Sequence, residues 1–102
     1  MNATREFVLP SDHSLVAGHF PEHPVVPGVM QLIWCEELLA QSIGVPVAVR
    51  SWPNVKFVHL LSPGEACIVT LESVAAGIAT FRIMRGALLI ASGRLEWETI
   101  PR

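Results

Sequence analysis

The chain has little charge, few cysteines and no long apolar run, and each shortage argues against a class of protein. Only 16% of its 102 residues are charged, the formal net charge is −2, and Lys and Arg do not cluster, which argues against a nucleic-acid partner. The longest apolar runs fall far short of the ~20 residues that span a bilayer. No basic N-terminal segment precedes such a run, so neither a membrane span nor a signal peptide is expected. These shortages favour a cytoplasmic protein.

Cysteine and histidine do not form a metal-ligand pattern. Cys35 and Cys67 stand alone, without a CxxC pair, and both are expected to be buried as small hydrophobic side chains. The four histidines have no regular spacing and no accompanying carboxylate cluster, so we expect no metal and no cofactor. His59 follows Val55 and Phe57 on one face of a predicted strand. This favours a histidine that lies in the core or at an interface with its ring nitrogens hydrogen-bonded, rather than a ligand.

Apolar side chains, by contrast, are abundant and make up 51% of the chain. A small domain buries a smaller fraction of its surface than a large one, so this excess suggests that a partner subunit covers part of it. An unpaired sheet edge would be a second surface to cover. We therefore expect residues 1–102 to form a single domain and to assemble as a homodimer whose two sheets join edge to edge.

One long helix and several strands follow from the patterning. Residues 28–43 are predicted to be helical, ending at Gly44 with Pro46 beyond. Apolar residues occur on every side of this helix, which predicts that protein surrounds it. Strands are predicted at 5–9, 14–17, 47–61 (interrupted at 52–54), 67–74, 79–85 and 88–98. The hairpin-like spacing of the later strands predicts an antiparallel sheet curved around one buried helix, an α+β fold.

The most informative stretch is residues 18–29, Gly-His-Phe-Pro-Glu-His-Pro-Val-Val-Pro-Gly-Val. Its prolines recur every third residue, which suits a stiff polyproline II path that cannot join a helix. The path ends at Pro27-Gly28, where the helix can begin and offer unpaired N–H groups to a carbonyl or anion. His19 can move a proton near neutral pH. We predict that His19 lies within a few ångströms of the Gly28 N–H, at the mouth of an apolar tunnel.

This stretch resembles the signature of bacterial 3-hydroxyacyl-carrier-protein dehydratases with the hot-dog fold. Val55-Lys56-Phe57 and Pro63-Gly64-Glu65 resemble that family's central strand and turn, and Phe81-Arg82-Ile83 and Ala91-Ser92-Gly93-Arg94 resemble its last strands. The resemblance therefore covers most of the chain. Gln31-Leu32-x-Trp34 is closer to the dehydratase-like proteins of aryl-polyene and related pigment clusters.

The resemblance implies a mechanism and a substrate, an acyl thioester held on the phosphopantetheine of an acyl carrier protein. In the family, a histidine removes the α-proton of a 3-hydroxyacyl thioester and a helix carboxylate protonates the departing hydroxyl. A glycine N–H at the helix start holds the thioester carbonyl. By position, His19 matches the histidine and Gly28 matches the glycine, with Val29 beside it as a second substrate-binding residue.

The carboxylate is where this chain departs from the family. It should lie fourteen residues after the histidine, and Ile33 stands there. Glu37 lies one helical turn further on, ~40° around the helix and ~6 Å along it. The run Glu37-Leu38-Leu39-Ala40-Gln41 also imitates the family's Glu-x-x-Ala-Gln run, displaced by one turn. Glu37 is therefore the candidate acid, although catalytic geometry tolerates errors of about 1 Å poorly.

Three functions remain open. The first is a dehydratase-like protein of fatty-acid-type or pigment biosynthesis, which needs His19 and an acid such as Glu37. The second is a non-catalytic acyl-binding subunit that has kept the fold and needs neither group. The third is a hot-dog acyl thioesterase, in which a helix carboxylate would activate water.

Overall fold

A computed structural model describes residues 1–12 and 24–101, and the predicted strand at 14–17 lies outside them. Within those ranges the chain forms one helix and five strands. They are β1 (Asn2–Phe7), α1 (Gly28–Ile43), β2 (Val47–Phe57), β3 (Cys67–Ala75), β4 (Ile78–Arg85) and β5 (Leu88–Thr99). The predicted helix at 28–43 is confirmed. Gly44 ends it with a φ of 80° and donates its N–H to the Ala40 carbonyl at 3.0 Å. Glycine adopts this left-handed backbone at little cost because it has no side chain.

The five strands form one antiparallel sheet in the order β1-β3-β4-β5-β2. The hairpins β3–β4 and β4–β5 turn at Gly77 and Gly86, where φ is 72° and 59°. This confirms the predicted antiparallel sheet. Both outer strands, β1 and β2, present one unpaired edge within the described residues.

Two strand predictions need correction. The strand expected at 5–9 lies at Asn2–Phe7. The break expected at 52–54 is instead a pair of bulges inside a continuous β2, with register shifts between Val49 and Ser51 and between Ser51 and Asn54. An edge strand tolerates Pro53 because one side of it needs no ladder hydrogen bonds.

The predictions that His59 belongs to a strand and lies in the core are wrong, while its place at an interface stays a prediction. The strand ends at Phe57, two residues earlier. The His59 side chain is exposed, and its Nδ1 lies 2.9 Å from the carbonyl oxygen of Leu89. A backbone carbonyl is therefore the hydrogen-bond partner of the imidazole ring at the surface.

The core lies between α1 and one face of the sheet. Strands β3, β4 and β5 alternate buried apolar residues with polar ones, the pattern of an antiparallel sheet with one dry and one wet face. The fully buried sheet residues include Val69, Leu71, Ala79, Phe81, Ile83, Ala91 and Leu95, and the helix contributes Trp34, Cys35, Leu38 and Leu39. One helix packed on a five-stranded antiparallel sheet is the hot-dog arrangement that the sequence predicts.

An aromatic contact ties the helix to the outer strand β1. The rings of Phe7 and Trp34 stack with their centroids 5.3 Å apart. The Arg5 guanidinium lies over the Phe7 ring at 4.5 Å. Arg5 and Phe7 therefore share the face of β1 that looks toward the helix, because side chains two residues apart in a strand point the same way.

Both cysteines are buried, as predicted. Cys35 of α1 and Cys67 of β3 are at most 1% exposed. Burial raises the pKa of Cys35 to about 12 and that of Cys67 to about 11. The two thiols are protonated at neutral pH and behave as small core side chains.

Candidate functional site

The helix begins without a side-chain cap. Pro27 occupies the N-cap position with φ −59° and ψ 144°, and the first turn contains no acidic residue. The Pro27 carbonyl accepts hydrogen bonds from the N–H groups of Met30 and Gln31 at 3.1 and 3.4 Å. Among the described residues, no group accepts a hydrogen bond from the N–H of Gly28 or Val29. Unpaired N–H groups at a helix start are donors suited to a carbonyl or anion, and the predicted role of Gly28 in substrate binding stays a prediction.

The chain after β2 holds the helix start in place. The Val26 N–H donates to the Leu61 carbonyl at 2.7 Å, which fixes the residues leading into α1. The Phe57 ring packs against Gly28 so closely that a Cβ built on Gly28 would lie 2.7 Å from the ring Cζ. Phe57 is 52% exposed, so its ring forms one wall of an open approach to the helix end.

One side of α1 is not covered by the parts of the chain that the structure describes. Val29, Ile33 and Glu37, spaced four residues apart, form what we term the uncovered stripe. Val29 is 61% exposed, Ile33 is 39% exposed and the Glu37 side chain is 53% exposed. Among the described residues the sheet packs against one face of α1, so the expectation that protein surrounds the helix on every side requires a partner subunit and stays a prediction.

The Glu37 carboxylate lies on the β1 side of this stripe. Its Oε2 is 3.9 Å from Nη1 of Arg5, and both side chains are about half exposed. A loose, solvated ion pair of this kind contributes little to stability, so it does not fix the carboxylate in one place. His19 lies outside the described residues, so its approach to Gly28 and the catalytic roles of His19 and Glu37 stay predictions.

Gln31 is a feature of the site that the sequence did not assign a role. It lies in the first turn of α1 and is 3% exposed. Its Oε1 has no hydrogen-bond partner in the described parts of the chain. The available signal was a lone amide in the first turn of a helix that is otherwise largely apolar.

The described residues contain no group of three or more His, Cys, Asp or Glu side chains placed to hold a metal ion. No helix in these residues combines the length and the apolar character needed to cross a membrane.

Comparison with known proteins assigns the family. The sequence profile of the ApeI-like proteins, described as ApeI dehydratase, matches residues 1–94. The chain belongs to the ApeI-like dehydratase family. Among curated relatives, the 3-hydroxyacyl-acyl-carrier-protein dehydratase FabZ of Wolbachia pipientis wMel is 36% identical over 78 residues, which cover 64% of this chain and 52% of that protein. FabZ of Streptococcus pyogenes serotype M5 is 32% identical over 90 residues, covering 78% and 56%. The chain thus spans just over half the length of these relatives.

Solved structures show the same fold. The dehydratase heterocomplex ApeI:P from Xenorhabdus doucetiae aligns with a TM-score of 0.83 at 24% identity, covering 94% of this chain and 86% of that one. The fluoroacetyl-CoA thioesterase FlK aligns with a TM-score of 0.72 at 21% identity, covering 98% and 85%. Because the fold hosts both activities, these likenesses establish architecture and leave the reaction to the residues of the site.

Proposed function

We propose that this ApeI-like protein acts on 3-hydroxyacyl chains held as thioesters on an acyl carrier protein, with dehydration weakened or altered by Ile33. The observation that carries the proposal is the uncapped start of α1 at Gly28, which follows directly on the segment that contains His19. The relatives named as 3-hydroxyacyl-acyl-carrier-protein dehydratases supply the substrate class.

In the proposed reaction, His19 accepts the α-proton of the thioester. The electron pair of the broken C–H bond moves toward the thioester carbonyl, whose oxygen accepts a hydrogen bond from the Gly28 N–H. The positive end of the helix dipole stabilises the charge that develops there. The C3–O bond then breaks, the departing hydroxide takes a proton, and a 2-enoyl thioester and water remain.

The proton donor is the weak point of this scheme. Ile33 has no proton to give, and Glu37, one turn further on, is about half exposed beside Arg5. Glu37 is the proposed acid, and its loose pairing leaves the carboxylate free to reorient toward bound substrate. The same observation favours a second candidate, a non-catalytic subunit that binds acyl groups.

We further propose that the protein is a homodimer joined along the free edge of β2. The uncovered stripe supports this assembly, because Val29 and Ile33 expose apolar surface that a partner subunit would bury. The exposed Phe57, at the end of β2, lies next to the same surface through its contact with Gly28. Light scattering at micromolar concentration should return twice the chain mass, and a monomer would overturn the dimer.

The test of function is an assay of the purified protein with 3-hydroxyacyl-carrier-protein substrates and saturated acyl thioesters of matched length. Formation of 2-enoyl product that falls by about 10²–10⁴ in His19→Ala supports the dehydratase, that being the usual contribution of a general base. His59→Ala is the matched control and should keep the wild-type rate. Release of free acid from both substrates would support a thioesterase instead. Binding without turnover would support the acyl-binding subunit.

The cytoplasmic location and the single domain over residues 1–102 stay predictions.

A further inference from the structure

Half of the basic side chains in the described ranges have no carboxylate close to them. Those that form an ion pair are Arg5, Arg50 and Arg85. Those that form none with another described residue are Lys56, Arg82 and Arg94. All three of these unpaired side chains are exposed, and we term them the basic cluster.

The register of the sheet places the basic cluster on one face. Arg82 of β4 is paired with Ser92 of β5, and Ser92 is paired in turn with Lys56 of β2. Paired residues of neighbouring strands point to the same side, and so do residues two apart in one strand, such as Ser92 and Arg94. Phe81, which precedes Arg82, is buried in the core. The basic cluster therefore lies on the face of the sheet that looks away from α1.

A cavity of about 710 Å³ opens on this face, and Arg82 and Arg94 both line it. The half-buried hydroxyl side chains of Thr80 and Ser92 line it as well. Because Thr80 pairs with Arg94 and Arg82 pairs with Ser92, these residues form a square with the arginines on one diagonal and the hydroxyls on the other. Guanidinium and hydroxyl groups all donate hydrogen bonds, so the walls of the cavity are rich in donors.

The charge of this face is not balanced within the described parts of the chain. Diagonal neighbours in a sheet lie roughly 7–8 Å apart, a distance that long side chains span, and like charges at close range are unfavourable. The cavity is also lined by Glu72, but its carboxylate is not within ion-pair distance of either arginine. Three positive charges and the one negative charge of Glu72 leave a net charge of +2.

We propose that this cavity binds a phosphate monoester with a polar organic part, of the class of sugar phosphates. A phosphate monoester carries a charge of about −1.5 to −2 at pH 7, which complements the net charge of the face. Arginine binds phosphate oxygens in a bidentate manner, and the hydroxyls of Thr80 and Ser92 donate to the remaining oxygens. The Asn54 amide, which also lines the cavity, is placed to contact the organic part.

The size of the cavity supports an organic ligand. Sites for small molecules measure roughly 300–1,000 Å³, and the cavity falls within this range, whereas a bare phosphate ion would leave most of it empty. The site lies across the sheet from Gly28 and does not rest on the proposed function. Joining two β2 edges would leave it open, because edge pairing uses backbone groups in the plane of the sheet.

The experiment is a calorimetric titration of the purified protein at low salt. The probes are ribose 5-phosphate, glucose 6-phosphate, ribose and inorganic phosphate. The variants are Arg82→Gln and Arg94→Gln. Arg50→Gln is the matched control, because it makes the same change in charge in an exposed residue that does not line the cavity. Thermal unfolding checks that each variant folds, and no midpoint should fall by much, because exposed side chains of this kind contribute little to stability.

The wild-type protein should bind at least one of the two sugar phosphates, more tightly than inorganic phosphate, and should not bind ribose. Arg82→Gln and Arg94→Gln should each weaken that binding by about tenfold to a hundredfold, the usual effect of one hydrogen bond to a charged group. Arg50→Gln should bind as the wild type does.

Failure of both sugar phosphates to bind at millimolar concentration overturns the proposal. Inorganic phosphate that binds as tightly as the sugar phosphates also overturns it, since the cavity would then hold an adventitious ion only. An equal loss of affinity in Arg50→Gln would show that net charge alone attracts the anion, which contradicts a built site. The comparison of probes on the wild-type protein decides the matter even where a variant fails to fold.

Discussion

The ring of Phe57 lies against the α-carbon of Gly28, where the last residue of an outer strand meets the first residue of the helix. A Cβ on Gly28 would lie 2.7 Å from Cζ and 3.0 Å from Cε1 of the ring. Contacts this short require one partner to move. Since Phe57 is half exposed, its ring is the part that can move, and the approach to the helix end depends on where it sits.

Gly28→Ala should therefore displace the Phe57 ring and destabilise the protein by about 1 kcal/mol, the low end of the range for overpacking, because the half-exposed ring can move. In a Phe57→Ala background the same substitution should cost much less, because the three atoms nearest to the added methyl group all belong to the Phe57 ring. Chemical denaturation of the two single variants and the double variant gives the coupling free energy of the pair. Additive effects would show that the ring does not constrain residue 28.

Ile33→Glu places a carboxylate at the position where the family has its acid. If the proposed function is correct, this substitution should create or raise dehydration of 3-hydroxyacyl thioesters, because general acid catalysis contributes roughly 10²–10⁴-fold. Ile33 is 39% exposed in the single chain, and since the proposed dimer would bury it, light scattering must show that the variant still dimerises. Ile33→Gln, which matches Glu in size and has no acidic proton, is the control.

Glu37→Gln tests whether the wild-type protein uses the displaced acid. Loss of most of the dehydration rate, with the unfolding midpoint unchanged, would identify Glu37 as the proton donor. The thermal unfolding midpoint should not change, because the ion pair between Glu37 and Arg5 is long and solvated. Robust dehydration by Glu37→Gln would place the donor elsewhere, for example at Glu36 or His23.

The helix bounds and the strand order of the hairpins could be predicted because local chemistry decides them. Pro27 and Gly44 delimit α1, and the alternation along β3 to β5 marks one dry face. The length of β2 could not be predicted, because whether Pro53 breaks a strand depends on whether that strand is at an edge.

The site was harder to predict, since its contacts join distant parts of the chain. The Gly28–Phe57 contact and the Arg5–Glu37 ion pair exist only once the sheet has formed. Periodicity shows that α1 is apolar on all sides, but it does not show whether the chain's own sheet or another subunit covers a given side. Ile33 could be recognised as a departure only because a family signature supplied the expected carboxylate.

The turn before β3 should give the protein a pH-dependent part of its stability. Glu65 accepts a hydrogen bond from the Ser62 backbone N–H at 2.8 Å, and Nη1 of Arg85 lies 2.9 and 2.8 Å from its two oxygens. The Ser62 N–H, followed by Arg85, holds the pKa of Glu65 below its ordinary value of 4.5. A carboxyl whose pKa is lower in the folded state stabilises that state above the ordinary pKa, and the effect is lost as the pH falls through the folded value.

Glu65→Gln should therefore lower the unfolding midpoint at pH 7, and the difference from wild type should shrink as the pH falls below 4.5. Thermal unfolding of both proteins, from pH 7 to values below 4.5, measures this difference in midpoint. Glu72→Gln is the control, because Glu72 is exposed and forms no ion pair with any described residue. If the difference in unfolding midpoint between Glu65→Gln and wild type does not change with pH, the Glu65 charge does not stabilise the turn.

Gly93 is the position in β5 where the outer strand β2 passes too closely for any side chain. Gly93 pairs with Val55, and a Cβ there would lie 2.8 Å from Cε1 of Phe81 and closer still to the backbone oxygen of Asn54. Neither neighbour can give way cheaply, because Phe81 is 1% exposed and packs edge-on against Trp52, while the Asn54 oxygen is part of the strand backbone.

Gly93→Ala should consequently push β2 away from β5 and destabilise the protein by at least about 1–3 kcal/mol, the usual range for overpacking. Ser92→Ala, one residue earlier with its side chain on the opposite face, should stay within about 0.5 kcal/mol of wild type. Because β2 is the strand along which we propose that two subunits join, light scattering of Gly93→Ala should also show weakened dimerisation, with Ser92→Ala dimerising normally. Denaturation curves that superimpose for Gly93→Ala and wild type would mean that β2 and β5 have room for a methyl group, contrary to the packing described.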